Sequence, residues 1–166
     1  MKGDAKIIAS LNKLLAGELT AMDQYFVHSR MYADWGFDKL AERVGHEMAD
    51  ETAHADALIK RILFLEGTPD LSQREPLKVG HDVPAMLRND LDLELAVVAA
   101  LKEVIACCES VRDYETREML EAMLEDTEED HAYWLEKQLG LIDKVGLQNY
   151  LQSQMQAEFR ATSAAP

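Results

Sequence analysis

Glutamates stand in this chain where helical spacing would bury them. Glu18 interrupts the apolar series Leu11, Leu14, Met22, Tyr25. Glu47, Glu51 and His54 interrupt Leu40, Val44, Leu58, Ile62, Leu65. Glu94 falls among Leu87, Leu91, Val98, Leu101, Ile105 and Cys108, and Glu128 with His131 falls between Leu120, Leu124 and Leu135. Steps of three and four residues place each series on one face of a helix. An unpaired ionised carboxylate in a dry core costs several kcal/mol or more, and several close together would also repel. No Lys or Arg lies on these stripes at those heights. Two divalent cations would neutralise four carboxylates, and two neutral imidazoles would complete the shell without adding charge. Glu and His three residues apart reach the same ion. A single Glu-x-x-His usually marks a solvated face. Two copies on two helices, with Glu18 and Glu94 each the single glutamate of its stripe on the other two, point instead to a paired metal site of Glu18, Glu51, His54, Glu94, Glu128 and His131. Oxygen ligands with imidazole suit iron, manganese or zinc. Few ligands per ion leave room for O2 or peroxide to bridge, which makes oxidation chemistry plausible, with iron(II) supplying the electrons.

Four long helices must position these residues. Periodicity predicts them at 4–35, 38–66, 83–112 and 114–139, with a short one at 146–157. Gly36 separates the first pair, which therefore runs antiparallel. Residues 67–82 carry Gly67, Pro69, Pro76 and Gly80 and no helical pattern, the length of a crossover running along a bundle. Arg112–Asp113 joins the last pair by a tight turn or bend, and Gly140 and Gly146 close the fourth helix. No stretch alternates as a strand would. The expectation is an all-α four-helix bundle about 40 Å long, one domain over 1–157 with a flexible tail at 158–166. One Glu from each of two helices and Glu-x-x-His from each of the other two is the di-iron carboxylate arrangement of ferritin-like bundles.

Composition narrows the partners. Of 166 residues, 31 are acidic and 17 basic, a net charge of −14 that disfavours nucleic acid and anionic membranes and favours cations. The two cysteines, Cys107 and Cys108, are adjacent; they suit neither a disulfide nor a zinc site, and imply a reduced, cytoplasmic setting with a packing role. The N-terminal residues Met1–Lys6 show no secretory signal, and the apolar run from Leu95 to Leu101 is too short to span a bilayer.

The sequence resembles bacterioferritin over nearly its whole length, Met1 to about Met155. The resemblance rests on Met1-Lys2-Gly3-Asp4, Leu11-Asn12-Lys13-Leu14-Leu15 ahead of Glu18, Gln24-Tyr25-Phe26, Arg61-Ile62-Leu63-Phe64-Leu65-Glu66-Gly67 and Gly146-Leu147-Gln148-Asn149-Tyr150-Leu151-Gln152. It implies a ferroxidase that oxidises iron(II) with O2 or hydrogen peroxide and stores a ferric mineral in a hollow shell of twenty-four subunits. It also implies that the short last helix packs around the four-fold axes. Carried over by position, Glu51 and Glu128 would bridge the two irons, Glu18 and His54 would bind one, and Glu94 and His131 the other. His46 and Asp50 match an iron site on the inner surface, and Tyr25 a neighbour of the di-iron centre. His28 and His81 match no ligand position and read as surface residues; Trp35 and Trp134 read as packing residues. The family's haem ligand is a methionine directly after the second helix's bridging Glu. Here Thr52 stands there, and Met48 lies about 6 Å away along the axis. The haem b half of the function is therefore not expected, which fits haem-free ferroxidase-type subunits that form shells alone or with a haem-binding partner subunit. A di-iron scavenger of peroxide or O2 is the alternative, although scavengers of that class usually carry a four-cysteine iron domain, which two adjacent cysteines cannot build.

Overall fold

The computed structural model describes residues 2–156; the predicted tail, and residue 157 at the end of the predicted short helix, lie outside them. The elements are α1 (Ala5–Asp34), α2 (Asp38–Phe64), α3 (Val83–Val111), α4 (Tyr114–Asp126), a π-helical turn (Thr127–Ala132), α5 (Tyr133–Val145) and α6 (Leu147–Gln154). No strand occurs among the described residues. The backbone stays helical through both ends of the π turn, so α4, π turn and α5 make one rod, the fourth helix of the bundle. None of these helices is long and apolar enough to cross a membrane.

Local chemistry starts the helices. The Asp4 carboxylate accepts the Lys6 and Ile7 N–H groups at 2.7 and 3.4 Å. Asp82 accepts from Ala85 N–H at 2.7 Å, with Pro84 in the first turn. Asp113 caps α4 through Thr116 N–H, and Arg61 donates to both Asp113 (2.8 Å) and Thr116 (2.7 Å), tying α2 to the turn between α3 and α4. Gly36, at φ +82°, reverses the chain between α1 and α2 in the left-handed region that favours glycine.

The crossover is held by side chains of α1. Asn12 Oδ1 accepts from Asp70 N–H at 2.8 Å, Thr20 Oγ1 from Glu75 N–H at 2.8 Å, Gln24 Oε1 from Lys78 N–H at 3.1 Å, and His28 Nε2 from Gly80 N–H at 3.4 Å. The acceptors ascend α1 as the donors ascend the crossover. The segment therefore runs the length of the bundle in the direction of α1, and α3 returns antiparallel to α1. These bonds satisfy backbone groups that no helix or sheet would. They also correct one expectation: His28 is fully buried, because the crossover covers it. Its Nδ1 lies 2.8 Å from Asp90, which also takes a 2.7 Å bond from Gln24. His81 is exposed, as expected.

The fourth helix outlasts its predicted end at 139. Gly140 stays helical, since an interior glycine costs only about 0.5–1 kcal/mol and Leu139 and Ile142 on either side of it pack on the core. The break comes at Gly146, φ +81°. Past it α6 folds back, burying Tyr150, whose hydroxyl donates to Gln138 at 3.1 Å. That ring therefore serves its own subunit, and Leu147 and Met155 remain the exposed apolar groups of this segment.

The core divides in two. One cluster gathers Leu11, Leu15, Leu58, Ile62, Leu101 and Leu120, and the other Tyr25, Tyr32, Leu40, Val44, Leu87 and Leu135. The interrupted stripes meet at the seam between them.

Candidate metal centre

Glu18 from α1, Glu51 and His54 from α2, Glu94 from α3 and His131 from the π turn converge at that seam, all buried. They form two groups that share Glu51. His54 Nδ1 lies 3.2 Å from Glu51 Oε2 and 3.6 Å from Glu18 Oε2. His131 Nδ1 lies 3.1 Å from Glu51 Oε1 and 3.7 Å from Glu94 Oε1. In each group the candidate donor atoms lie within 4.8 Å of one another, and the two imidazole rings are 5.9 Å apart. Tyr25, fully buried, donates its hydroxyl to Glu94.

Glu128, the sixth expected ligand, is elsewhere. Its carboxylate is 42% exposed and pairs with Lys102 at 2.5 Å. The cause is the π turn. Hydrogen bonds from i to i+5 put more residues into each turn, so Glu128 and His131, three apart, no longer share a face. Asp126, five before His131, turns inward instead, with Oδ2 3.0 Å from His54 Nε2 and 3.9 Å from His131 Nε2. Nothing in the sequence marks a π turn, so Asp126 carried no signal. Glu47 did carry one, as a member of the α2 stripe. It is buried, and its Oε2 lies 2.9 Å from His131 Nε2. A cation approaches the centre from off the stripes: Arg43, one turn before Glu47, reaches it at 2.6 Å and Asp130 at 2.9 Å. The His46–Asp50 pair sits on the rim. His46 is 65% exposed with Nδ1 2.7 Å from Asp50, whose Oδ2 is 4.0 Å from His131 Nε2.

Burial and neighbouring charges set the protonation of the cluster. Burial, followed by the adjacent Glu51, holds Glu18 well above the usual carboxylate range. Burial pushes Glu94 up to about 7. Burial would raise Glu51 as well, but Glu18, His131 and His54 outweigh it and hold Glu51 below the usual range. Burial would lower both imidazoles; Glu18 and Glu51 overcome it and lift His54 to about 10. Glu47, Glu51 and Glu94 lift His131 far above an ordinary imidazole. The Tyr25 phenol, raised by burial and then by Glu94, stays a donor. Even so, both Glu18 oxygens and Glu94 Oε2 are buried without a hydrogen-bond donor, and both Glu47 oxygens have only the ion-pair contacts to Arg43 and His131. Buried acceptors left over in this way suit cations, and the donor set of carboxylates with imidazoles suits iron.

The remaining singled-out residues lie apart. Thr52 is exposed and donates to the Met48 carbonyl at 2.9 Å. Trp35 packs edge-on to Tyr32, and Trp134 lies under Arg43. Cys107 and Cys108 are free; burial pushes the Cys108 thiol up to about 11, which keeps it an unreactive packing group.

A four-helix bundle with a long crossover and a buried carboxylate–imidazole centre at mid-height defines a class of metal-binding bundles. Residues 8–145 match the family described as "Ferritin-like domain". The chain is 66% identical to a "Bacterial ferritin" of Synechocystis sp. over 155 residues, covering 93% of this chain and 99% of that one. It is 59% identical to the "Bacterial ferritin" of Pseudomonas aeruginosa, covering 93% and 100%, and 41% identical to the "Bacterioferritin" of Brucella melitensis, covering 90% and 92%. The chain belongs to the ferritin-like family.

Proposed function

We propose that this protein stores iron in the cytoplasm and oxidises it on entry, as an iron(II):oxygen oxidoreductase. Family membership and the bacterial-ferritin relatives support storage. The observation that carries the oxidase reading is Glu51, a buried carboxylate shared by two carboxylate–imidazole groups, with orphaned oxygens on Glu18 and Glu94 around it.

Glu18 and His54 would take one iron(II), Glu94 and His131 the other, with Glu51 between them. Two iron(II) ions supply two electrons. These reduce O2 with two protons to hydrogen peroxide, or hydrogen peroxide with two protons to two waters. The chain's own contribution would be to hold both ions side by side among buried carboxylates and imidazoles. Tyr25 fixes one oxygen of Glu94 and leaves the other free. The rim pair His46–Asp50 would hand ions between the centre and the interior of the assembly.

The assembly is a hollow shell of twenty-four copies in this reading. Exposed Phe26, Leu71, Leu77 and Val79 leave apolar surface for neighbouring subunits. Oxygen consumption on adding iron(II) to the purified protein, together with its sedimentation mass, tests both parts. The expected result is rapid uptake by a particle of about twenty-four chains. A stable monomer sinks the shell, and an oxidation rate no faster than buffer sinks the ferroxidase.

The homo-oligomer is expected to bind no haem. A hydroxyl is a poor axial ligand compared with a thioether, and the Thr52 side chain is held back against its own helix by donating to the Met48 carbonyl. Haem titration followed by absorbance is expected to give no bis-methionine Soret band for the wild type and partial binding for Thr52→Met. Stoichiometric binding by the wild type, lost on Met48→Leu, would put the ligand one turn earlier.

A further inference from the structure

Each imidazole of the centre has a far side, and a carboxylate outside the five converging residues stands on it. On His54, Nδ1 turns to Glu18 and Glu51, while Nε2 is hydrogen-bonded to Asp126 Oδ2 at 3.0 Å. On His131, Nδ1 turns to Glu51 and Glu94, while Nε2 lies 2.9 Å from Glu47 Oε2. A neutral imidazole that binds a cation offers a lone pair from one nitrogen and keeps a proton on the other. A carboxylate beside the protonated nitrogen fixes that tautomer, orients the ring and makes the free nitrogen a better donor.

We propose that Asp126 and Glu47 are positioning residues of the metal centre, holding Nε2–H of His54 and of His131 so that both Nδ1 lone pairs face the cation pocket. The inference rests on the reading of this centre as the iron site.

The two carboxylates are set up differently. Asp126 is 45% exposed and reaches His54 from the other side of the bundle because the π turn rotates it inward. Glu47 is buried, and Arg43 occupies its other oxygen at 2.6 Å, leaving Oε2 to the imidazole. Arg43 is itself fixed by Asp130 at 2.9 Å and by the face of Trp134, 5.3 Å from the ring centre. Both positioning carboxylates thus approach from outside the Nδ1 side, and neither is among the donors that meet at Glu51; Glu47 meets Asp50, Asp130 and His131 in a separate group on the outer side.

Cobalt(II) titration of the metal-free, assembled protein, read by visible absorption and calorimetry, tests this. The wild type is expected to take two ions per subunit. Asp126→Ala and Glu47→Ala are each expected to weaken one of them about 10- to 100-fold. Asp126→Asn and Glu47→Gln keep an oxygen that can accept from Nε2–H and are expected to recover most of the affinity. They also serve should Glu47→Ala fail to assemble with Arg43 left unpaired. The deciding comparison is made without the imidazole: in a His54→Ala background Asp126→Ala should cost nothing further, and likewise Glu47→Ala in a His131→Ala background. Alanine variants that bind cobalt(II) like the wild type overturn the proposal, as does a loss of equal size once the imidazole is gone. A wild type that takes up no cobalt(II) overturns the metal-centre reading itself, a different failure.

Discussion

Replacing Glu51 by glutamine is expected to abolish rapid iron(II) oxidation while the bundle still folds and assembles. Glu51 is the one residue common to both carboxylate–imidazole groups, at 3.2 Å from His54 and 3.1 Å from His131. Glutamine keeps its shape and removes its charge. In the proposed centre the ions would lose their shared ligand, and both imidazoles lose the carboxylate beside their Nδ1 atoms. Loss of a mere outer partner costs a metal site 10- to 100-fold, so loss of the shared ligand should exceed about 100-fold in the initial rate of oxygen consumption. The informative control is Glu128→Gln. The family resemblance makes Glu128 the second bridging ligand, whereas the structure gives it to Lys102 at the surface. An exposed pair of that kind is worth about 0–1 kcal/mol, so this variant should stay within about fivefold of the wild type. Equal losses in the two variants would show that the π turn winds back to bring Glu128 inside when iron binds.

The contrast between these two glutamates shows where sequence reading succeeds and where it stops. Glu18, Glu51, His54 and Glu94 were legible because regular helices carry a fixed period, and a carboxylate on an apolar stripe of known period must end up buried. The crossover was legible from its length and its prolines. His28 was misread for a reason of the same kind. Its partners, Asp90 and Gly80, lie far along the chain and come to it only through the crossover that α1 holds down. The π turn breaks the assumption of a fixed period. Beyond Asp126 each residue points where an unbroken 3.6-residue helix would not send it, so Glu-x-x-His ceases to describe one face and Asp126 replaces Glu128 beside the imidazoles. Glu47 was visible on its stripe. Its contact with His131 on another helix, and the approach of Arg43, could be read only from packing.

The affinity for zinc(II), a redox-inert stand-in for iron(II), is expected to rise steeply with pH. In the metal-free protein the neighbouring carboxylates hold His54 at about 10 and His131 higher still, so both imidazoles carry a proton at pH 7 that an incoming ion must displace. At least one proton per ion makes each site bind more tightly by about tenfold or more per pH unit, hence about 100-fold or more from pH 6 to pH 8. Glu94, pushed up to about 7 by burial, adds part of a second proton at its site below pH 7 and steepens the slope there. The same groups set the stability of the metal-free fold. Both values are raised, so both contributions are complete at low pH and fade as it rises. His54 stabilises fully below its ordinary 6.5 and stops doing so through about 10; Glu94 does so below its ordinary 4.5 and stops through about 7. Glu51, held low, works in the opposite sense and weakens the fold only on acidification. Thermal unfolding with and without zinc(II) should therefore show a gap that widens from pH 6 to pH 9, with proton release measurable by calorimetry in buffers of different ionisation enthalpy. An affinity flat between pH 6 and pH 8 would mean that the imidazoles are already neutral in the metal-free protein. The buried carboxylates Glu18, Glu51 and Glu94 would then have to be sharing the cluster's protons themselves.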